Sequence, residues 1–223
     1  MKPLRVAVDR RRSRQVLFWW ILPVILIAGW WVPVLGYFIP LCMVAGVGVA
    51  LFKGRTWCDW LCPRGSSFDL LLSRVSRKRK IPALFRDMKF RILVMAVLMT
   101  VLVTQIPSVW PSVDGMGRVF VIMLSITTMV GVILGVLTHH RNWCTFCPVG
   151  TLGNVLGRGK NALTITSKCN ECAACDRVCP VQVDRWQYRP GQEGAAVVPE
   201  WDCVKCGLCV EACPQKALSL KDG

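Results

Sequence analysis

The stretch 169–180 reads Cys-Asn-Glu-Cys-Ala-Ala-Cys-Asp-Arg-Val-Cys-Pro, and the stretch 203–214 reads Cys-Val-Lys-Cys-Gly-Leu-Cys-Val-Glu-Ala-Cys-Pro. Both runs space their cysteines as C-x2-C-x2-C-x3-C-P, which is the ligand spacing of bacterial proteins with two [4Fe–4S] clusters. In such proteins the fourth cysteine of each run binds the other cluster. The predicted ligands are therefore Cys169, Cys172, Cys175 and Cys213 for one cluster, and Cys179, Cys203, Cys206 and Cys209 for the other.

Two other uses of cysteine fit these runs less well. A zinc site takes four ligands in two pairs rather than two identical runs of four. Disulfides are disfavoured on a cytoplasmic face, which is where the charge pattern described below places this part of the chain. Residues 164–223 are thus predicted to form a small α+β ferredoxin domain, and its thin core makes the clusters important for its stability.

Residues 1–163 have a different composition. The chain of 223 residues is 53% hydrophobic and 18% charged, whereas about 25% of residues are charged in a typical soluble domain. Residues 1–163 carry 21 Lys and Arg against 5 Asp and Glu, while residues 164–223 carry 7 against 8. The basic residues bracket apolar runs, which indicates a lipid bilayer as partner and argues against nucleic acid.

Four transmembrane helices are predicted, as two repeated hairpins in a mainly α-helical membrane domain. The uncharged run 17–52 is too long for one span, and its Trp, Pro and Gly residues near the middle predict a turn between spans at about 15–31 and 36–52. Ile92–Trp110 and Val119–Leu137 are the other two uncharged runs. Lys and Arg concentrate in segments on one side of these spans, so both termini and the ferredoxin domain are predicted to be cytoplasmic.

A second kind of cysteine motif follows each predicted hairpin. Residues 55–65 read Arg-Thr-Trp-Cys-Asp-Trp-Leu-Cys-Pro-Arg-Gly, and residues 141–150 read Arg-Asn-Trp-Cys-Thr-Phe-Cys-Pro-Val-Gly. The shared order of residue types indicates a duplication, and its symmetry would bring four cysteines together: Cys58, Cys62, Cys144 and Cys147. Three interpretations remain open, namely a third iron–sulfur cluster or another metal, redox-active thiols, or small buried residues at helix ends.

The two histidines of the chain, His139 and His140, are adjacent and follow the last predicted span. Neighbours on one helix cannot bind both faces of a haem, and no Cys-x2-Cys-His motif occurs, so haem is not predicted. Either histidine could exchange a proton at a quinone site, or be an interfacial residue beside Arg141. The sequence contains no phosphate-binding loop or dinucleotide fingerprint, and no catalytic residue is predicted.

The spans, the two Trp-Cys-x2–3-Cys-Pro-x-Gly motifs and the paired cysteine runs together resemble the NapH family of membrane iron–sulfur proteins. The motifs are also similar to the membrane parts of NosR and CcoG/RdxA. The resemblance implies an electron-transfer subunit in the bacterial cytoplasmic membrane, which connects quinone or quinol to other redox subunits of a hetero-oligomeric oxidoreductase complex. The alternative is a CcoG-like metal-handling or maturation factor that uses the four membrane-side cysteines.

Overall fold

The computed structural model describes residues 2–183, 196–197 and 202–221. Its α-helices follow the chain as α1 Lys2–Phe18, α2 Ile21–Ala28, α3 Phe38–Lys53, α4 Trp57–Trp60, α5 Pro63–Leu70, α6 Met88–Val109, α7 Val113–Leu137, α8 Asn142–Phe146, α9 Pro148–Leu156, α10 Ala174–Arg177 and α11 Leu208–Ala212. Short 3-10 helices lie at Pro33–Tyr37, Gly54–Thr56, Leu72–Arg74 and Ala83–Arg86. The strands are β1 Ala162–Ile165, β2 Ala196–Val197 and β3 Leu218–Lys221.

Among the described residues, three helical stretches are long and apolar enough to cross a bilayer. Two are the single helices α6, with 22 residues, and α7, with 25. At 1.5 Å per residue these lengths exceed a hydrocarbon core of about 30 Å. The third stretch, Pro33–Arg74, contains α3 and the short helices on either side of it. These stretches contain the predicted spans at 36–52 and 119–137 and most of the span at 92–110.

The first predicted span, at about 15–31, is divided between the end of α1 and the eight-residue α2 and is not one of these three stretches. The charged helix α1 packs against α5 and α11, whereas the apolar α2 packs against α7. Backbone hydrogen bonds bridge the break, from Trp19 N to the Gln15 carbonyl (3.0 Å) and from Val24 N to the Trp20 carbonyl (3.1 Å). A fourth span and the two-hairpin arrangement therefore stay predictions.

Two side-chain caps show why α6 and α7 begin where they do. The Asp87 carboxylate accepts a hydrogen bond from Lys89 N at 3.1 Å, and the Ser112 hydroxyl accepts one from Gly115 N at 3.1 Å. Such caps satisfy amide donors that the first helical turn leaves without a partner. α6 packs against α7, α9 packs against α3, and α8 packs against α7. The second cysteine motif therefore lies on the ends of the long apolar helices.

The C-terminal unit contains a three-stranded antiparallel sheet with strand order β2-β1-β3. β1 begins at Ala162, next to the predicted domain boundary between 163 and 164. A buried core lies against the sheet and consists of Leu163, Ile165, Val181, Val183, Val204, Cys209 and Leu218. Four further cysteines of the two C-terminal runs pack around this core, namely Cys175, Cys179, Cys206 and Cys213. Predicted cluster ligands therefore border the small hydrophobic core.

Candidate iron–sulfur site

The two C-terminal cysteine runs adopt the same backbone conformation. The eight predicted ligands repeat at an interval of 34 residues, so that Cys169 corresponds to Cys203. Positive φ angles repeat at the same interval, in the pairs Glu171 and Lys205, Ala173 and Gly207, and Gln182 and Lys216. Residues with positive φ are uncommon outside glycine and reverse the chain direction sharply. The backbone therefore turns at equivalent positions in the two runs.

Backbone amides are directed at two of the predicted ligand sulfurs. Val183 N donates to Cys179 Sγ at 3.4 Å, and Ala217 N donates to Cys213 Sγ at 3.3 Å. Hydrogen bonds to sulfur are one of the factors that set the potential of an iron–sulfur cluster. Both acceptors are the fourth cysteine of their run, and helices α10 and α11 of the two runs pack against each other. The donor set and its surroundings fit the predicted pair of [4Fe–4S] clusters.

The two membrane-side motifs have the same local structure. Cys62 and Cys147 each precede a proline that occupies the first position of a helix, α5 and α9 respectively. Proline suits this position because its missing N–H has no helical partner there. Cys58 and Cys144 lie in the short preceding helices α4 and α8. In both motifs the backbone is extended at the second cysteine, between its two helices.

Each motif is held by the arginine that begins the other motif. Arg141 Nη1 donates to the Cys58 carbonyl at 2.9 Å, and Arg55 Nη2 donates to the Cys144 carbonyl. Both arginines are buried, with 0% and 2% of their surface exposed respectively. The reciprocal contact confirms that the two motifs lie together, as the internal duplication led us to expect.

The motif glycines allow this close approach. A Cβ atom at Gly65 would lie 2.7 Å from the Cys58 carbonyl oxygen and 3.1 Å from Arg141 Nη1. A Cβ atom at Gly150 would lie 2.5 Å from Arg55 Nη2. Real Cβ atoms do not come as close as 2.7 Å to a neighbouring atom, so the backbone of the first motif requires glycine at position 65, and Gly150 leaves room for the Arg55 guanidinium.

One cavity of about 160 Å³ is lined by all four membrane-side cysteines. Electrostatic interactions connect Cys62 with the other three thiols, and Cys144 with Cys58 and Cys147. Burial raises the pKa of the Cys144 thiol to about 11, partly offset by the positive charge of Arg141. Within the described ranges, no group of three His, Cys, Asp or Glu side chains is arranged to hold a single metal ion.

Three arginines surround these thiols. Arg55 interacts electrostatically with Cys58 and Cys144, and Arg64 interacts with Cys147, Cys62 and Cys144. Arg141 Nη1 lies 4.0 Å from Cys144 Sγ. A [4Fe–4S] cluster bound by four thiolates is anionic, and buried cations beside it offset the cost of placing that charge in an apolar environment. The donor set and its charge therefore fit a third cluster.

A buried network of charges lies beside the motifs and was not anticipated from the sequence. Asp69 accepts hydrogen bonds from Arg141 Nε (2.6 Å) and Nη2 (2.5 Å), and it also pairs with Arg11. Arg11 and Arg141 both bind the carboxylate of Asp59, which is fully buried. The one available signal was Asp59 itself, an acidic residue inside a motif whose second copy has Thr145 at that position.

The two histidines belong to this network rather than to the cavity. His140 Nε2 lies 3.3 Å from Asp69 Oδ1, and His139 Nδ1 accepts a hydrogen bond from Arg141 N at 3.3 Å. Burial and the neighbouring His140 lower the pKa of His139 to about 4. Neither histidine is among the residues that line the cavity. Proton exchange by His139 or His140 at a quinone site stays a prediction.

The ferredoxin unit is docked on the membrane-side motifs. Cys58 packs against the ferredoxin core, and the Cys206 thiol lies close enough to Asp59 to interact with its charge. Arg86 Nη1 pairs with Asp202 at 3.0 Å, next to Cys203, and Arg91 pairs with the same carboxylate. Arg86 Nη2 also donates to the Gln182 carbonyl at 2.7 Å. Cys58 and Asp59 thus bring the first membrane-side motif against the ferredoxin unit, and Arg86 and Arg91 attach the region around the start of α6 to it.

Comparisons with known proteins find iron–sulfur families in three segments of the chain. Residues 35–82 and 121–166 match a family described as a 4Fe-4S binding domain, and these two segments contain the two membrane-side motifs. Residues 168–217 match a family described as a 4Fe-4S dicluster domain. No solved structure matches the chain significantly.

Several curated relatives are ferredoxin-type proteins. Ferredoxin-type protein NapH of Escherichia coli K12 is 28% identical over 182 residues, which are 77% of this chain and 63% of the relative. The methylamine utilization ferredoxin-type protein MauN of Methylobacillus flagellatus is 31% identical over 150 residues, 58% of this chain and 50% of the relative. NADH-quinone oxidoreductase subunit I 2 of Geobacter metallireducens is 34% identical over 71 residues, 28% of this chain and 54% of the relative. The chain thus spans less than two thirds of each of these relatives.

Proposed function

Because this chain is a NapH-like membrane iron–sulfur protein, we propose that it carries electrons between the quinone pool and a redox partner through three cysteine sites. Iron–sulfur electron transfer itself follows from the family matches. The connection to quinone, the number of clusters and the identity of their ligands are the proposed part. The redox partner is another subunit of a hetero-oligomeric complex.

The observation that carries this proposal is the contact between the two cysteine-rich regions. Cys58 lines the cavity among the apolar helices and also packs against the ferredoxin core. Cys206, a proposed ligand of the nearer ferredoxin cluster, interacts with Asp59, the residue that follows Cys58. A redox group held at Cys58 would therefore lie next to a cluster held at Cys206. Electrons could pass between the membrane helices and the ferredoxin unit through these two neighbouring groups.

The proposed ligands form three sets. Cys58, Cys62, Cys144 and Cys147 hold the cluster at the membrane face, and the two ferredoxin clusters take Cys169, Cys172, Cys175 and Cys213, and Cys179, Cys203, Cys206 and Cys209. When bound, a [4Fe–4S] cluster accepts and returns a single electron at a potential set by its surroundings. Oxidation of one quinol releases two electrons and two protons. The electrons pass to the redox sites, the protons pass to water, and the reverse sequence reduces quinone.

We also propose that the ferredoxin unit lies on the cytoplasmic side of the bacterial inner membrane. The basic region around the start of α6 contacts the ferredoxin unit through Arg86, which precedes the helix, and Arg91, in its first turns. The arginine-rich helix α1 packs against α11 of the same unit. Basic segments remain on the cytoplasmic side of a membrane protein, so this side is the expected one for the termini and for the clusters.

Iron and acid-labile sulfide per chain test the three cluster sites. We expect about twelve of each in anaerobically purified protein, because each of three clusters contains four irons. Cys58→Ser and Cys144→Ser should each lower both values to about eight. Cys42→Ser is the matched control, because Cys42 lines the same cavity but lies outside the motifs, and it should leave twelve. About eight irons in the unmodified protein would rule out the third cluster.

The connection to quinone has its own test. Quinol analogues added to the anaerobic protein should bleach the visible absorbance of the clusters, and quinone added to reduced protein should restore it. Absence of both reactions, with a redox partner present, would contradict the proposed function. Cys144→Ser should slow the reaction with quinol while the ferredoxin clusters still accept electrons from dithionite.

One observation favours the alternative of metal handling. Cys42 and the thioethers of Met43, Met99 and Met123 line the same cavity as the four motif cysteines. Thiolate and thioether ligands prefer soft ions such as Cu(I). In this case the protein should bind Cu(I) at the cavity, and Cys58→Ser should abolish that binding while eight irons per chain remain. Unchanged copper binding in Cys58→Ser and Cys144→Ser would contradict the alternative.

A further inference from the structure

The cavity contains one charged residue that breaks the symmetry of the two motifs. The first motif ends Pro63-Arg64-Gly65, whereas the second ends Pro148-Val149-Gly150, and both Arg64 and Val149 line the cavity. The duplicated design thus has an apolar side chain at this position in one half and a guanidinium in the other. This difference indicates that Arg64 makes a contact for which the second motif has no counterpart.

Arg64 is held in place by one end of its guanidinium. Nη2 donates to Thr127 Oγ1 at 2.8 Å, to Thr128 Oγ1 at 3.0 Å and to the Leu124 carbonyl at 3.4 Å. The group also lies over the ring of Trp143, with its carbon 5.3 Å from the ring centre. Within the part of the chain that the structure describes, Arg64 makes no ion pair with a carboxylate and donates hydrogen bonds only through Nη2.

This arrangement differs from that of Arg141. Arg141 is neutralised by Asp59 and Asp69, whereas the titratable groups that interact with Arg64 are the cavity cysteines Cys147, Cys62 and Cys144. A guanidinium has five N–H donors. The described contacts fix the plane of the Arg64 guanidinium through Nη2 and leave its remaining donors for a molecule in the cavity.

The other walls of the cavity are apolar. They come from α2, α3, α6 and α7 and include Leu22, Ile25, Phe38, Ile39, Leu98 and Leu124. An apolar wall beside one guanidinium suits a lipid-soluble molecule with one planar ring and a hydrogen-bond acceptor.

We propose that Arg64, held in position by Thr127, binds a ring oxygen of a quinone or quinol, whose ring occupies the apolar part of the cavity. This inference rests on the proposed function, since it names the place where the quinone pool meets the protein. Cys62 is two residues before Arg64, so a ring bound there lies beside the proposed membrane-face cluster. The Thr127 hydroxyl accepts the hydrogen bond from Arg64 and donates its own proton to the Met123 carbonyl at 2.8 Å, so Thr127 acts by positioning Arg64 at the cavity that both residues line.

Binding of a quinol analogue tests the site without relying on electron transfer. The probe is 2-heptyl-4-hydroxyquinoline N-oxide, whose fluorescence is quenched when it enters a protein. Arg64→Gln should raise its Kd by about 10-fold to 100-fold, as expected for loss of a charge-assisted hydrogen bond. Thr127→Val, which keeps the shape of the side chain, should raise the Kd by about 3-fold to 10-fold. Both variants should also raise the KM for quinol more than they lower kcat.

Two control variants match the test variants in chemistry. Arg74→Gln removes an exposed arginine, and Thr104→Val removes an exposed hydroxyl that bonds only to its own helix in the described structure. Both should bind the probe as the unmodified protein does. Iron per chain is measured for every variant, and it should be unchanged in Thr127→Val. If Arg64→Gln loses iron, Thr127→Val decides the result, because it removes no charge from the cluster site.

The outcomes separate this inference from the proposed function. If quinol reduces the unmodified protein while Arg64→Gln and Thr127→Val keep the normal Kd within twofold, the site is wrong and the proposed function stands. If quinol never reduces the unmodified protein but the probe binds in a manner that depends on Arg64 and Thr127, the cavity binds such rings and the proposed function fails. If the probe does not bind the unmodified protein, the binding site is refuted.

Discussion

Replacement of Asp69 by asparagine should destabilise the protein strongly. The carboxylate of Asp69 pairs with Arg141 and Arg11, accepts a hydrogen bond from Gln15 Nε2 at 2.6 Å and contacts His140. An amide at this position keeps the shape but removes the charge. Arg141 is fully buried, so among the carboxylates of the described residues Asp69→Asn leaves Asp59, at 3.3 Å, as its remaining partner.

The size of this effect follows from the cost of a buried charge. Removal of one partner from a buried ion pair costs about 3–5 kcal/mol. The remaining contact with Asp59 places the expected loss of unfolding free energy near the lower end, about 3 kcal/mol, which is about 100-fold in the unfolding equilibrium. The measurement is denaturant unfolding in detergent, followed by tryptophan fluorescence. Asp9→Asn, an exposed change on α1, is the control, and a loss below about 1 kcal/mol for Asp69→Asn would refute the reasoning.

Three further predictions concern the histidine, a motif glycine and the docking of the ferredoxin unit. The pKa of about 4 for buried His139 lies below the unfolded value of 6.5, so the unfolded chain binds a proton first as the pH falls. The unfolding free energy should therefore decrease by up to about 3 kcal/mol between pH 6.5 and pH 4. This decrease should be smaller in His139→Asn. If the unmodified protein and His139→Asn lose the same unfolding free energy over this pH range, His139 is not the group responsible. Gly65→Ala should lose about four irons per chain. Gly48→Ala, which has open space around its Cβ position, is the control and should lose none. Full iron content in both variants would show that the close contact at Gly65 tolerates a methyl group. Asp202→Asn should speed amide hydrogen exchange at the 3-10 helix that precedes α6 by about tenfold. In the control variant Glu211→Gln, which changes an exposed side chain, exchange there should stay normal. The same exchange rate in both variants would mean that the ion pairs of Asp202 with Arg86 and Arg91 do not hold the ferredoxin unit.

The parts of the molecule that could be predicted from the sequence are those in which spacing determines geometry. The cysteine runs repeat at 34 residues, and the backbone angles around them repeat at the same interval. The duplication of the membrane-side motifs predicted that four cysteines would meet, and Cys58, Cys62, Cys144 and Cys147 do line one cavity. Apolar length alone was enough to locate α6 and α7.

The charge network could not be predicted in this way. Arg11 and Asp69 are 58 residues apart and Asp69 and Arg141 are 72 apart, so no local pattern connects them. Charge counts predict a cytoplasmic position for the arginine-rich start of the chain, and they contain nothing about the contact of Arg11 in α1 with a buried carboxylate. Pairing over such distances depends on how α1, α5 and α8 pack, which charge counts do not contain.

Arg55 and Arg141, each of which binds a carbonyl of the other motif, make reciprocal contacts like those in a symmetric dimer. In an interface between two identical subunits every contact occurs twice, with the roles of the partners exchanged. Arg55 on the Cys144 carbonyl and Arg141 on the Cys58 carbonyl obey this rule between two halves of one polypeptide. Each half supplies the side chain that orders the loop of the other half. A cut in the connection between them is therefore less damaging than the loss of either half, and two co-expressed fragments should reassemble where one fragment alone does not form the loop.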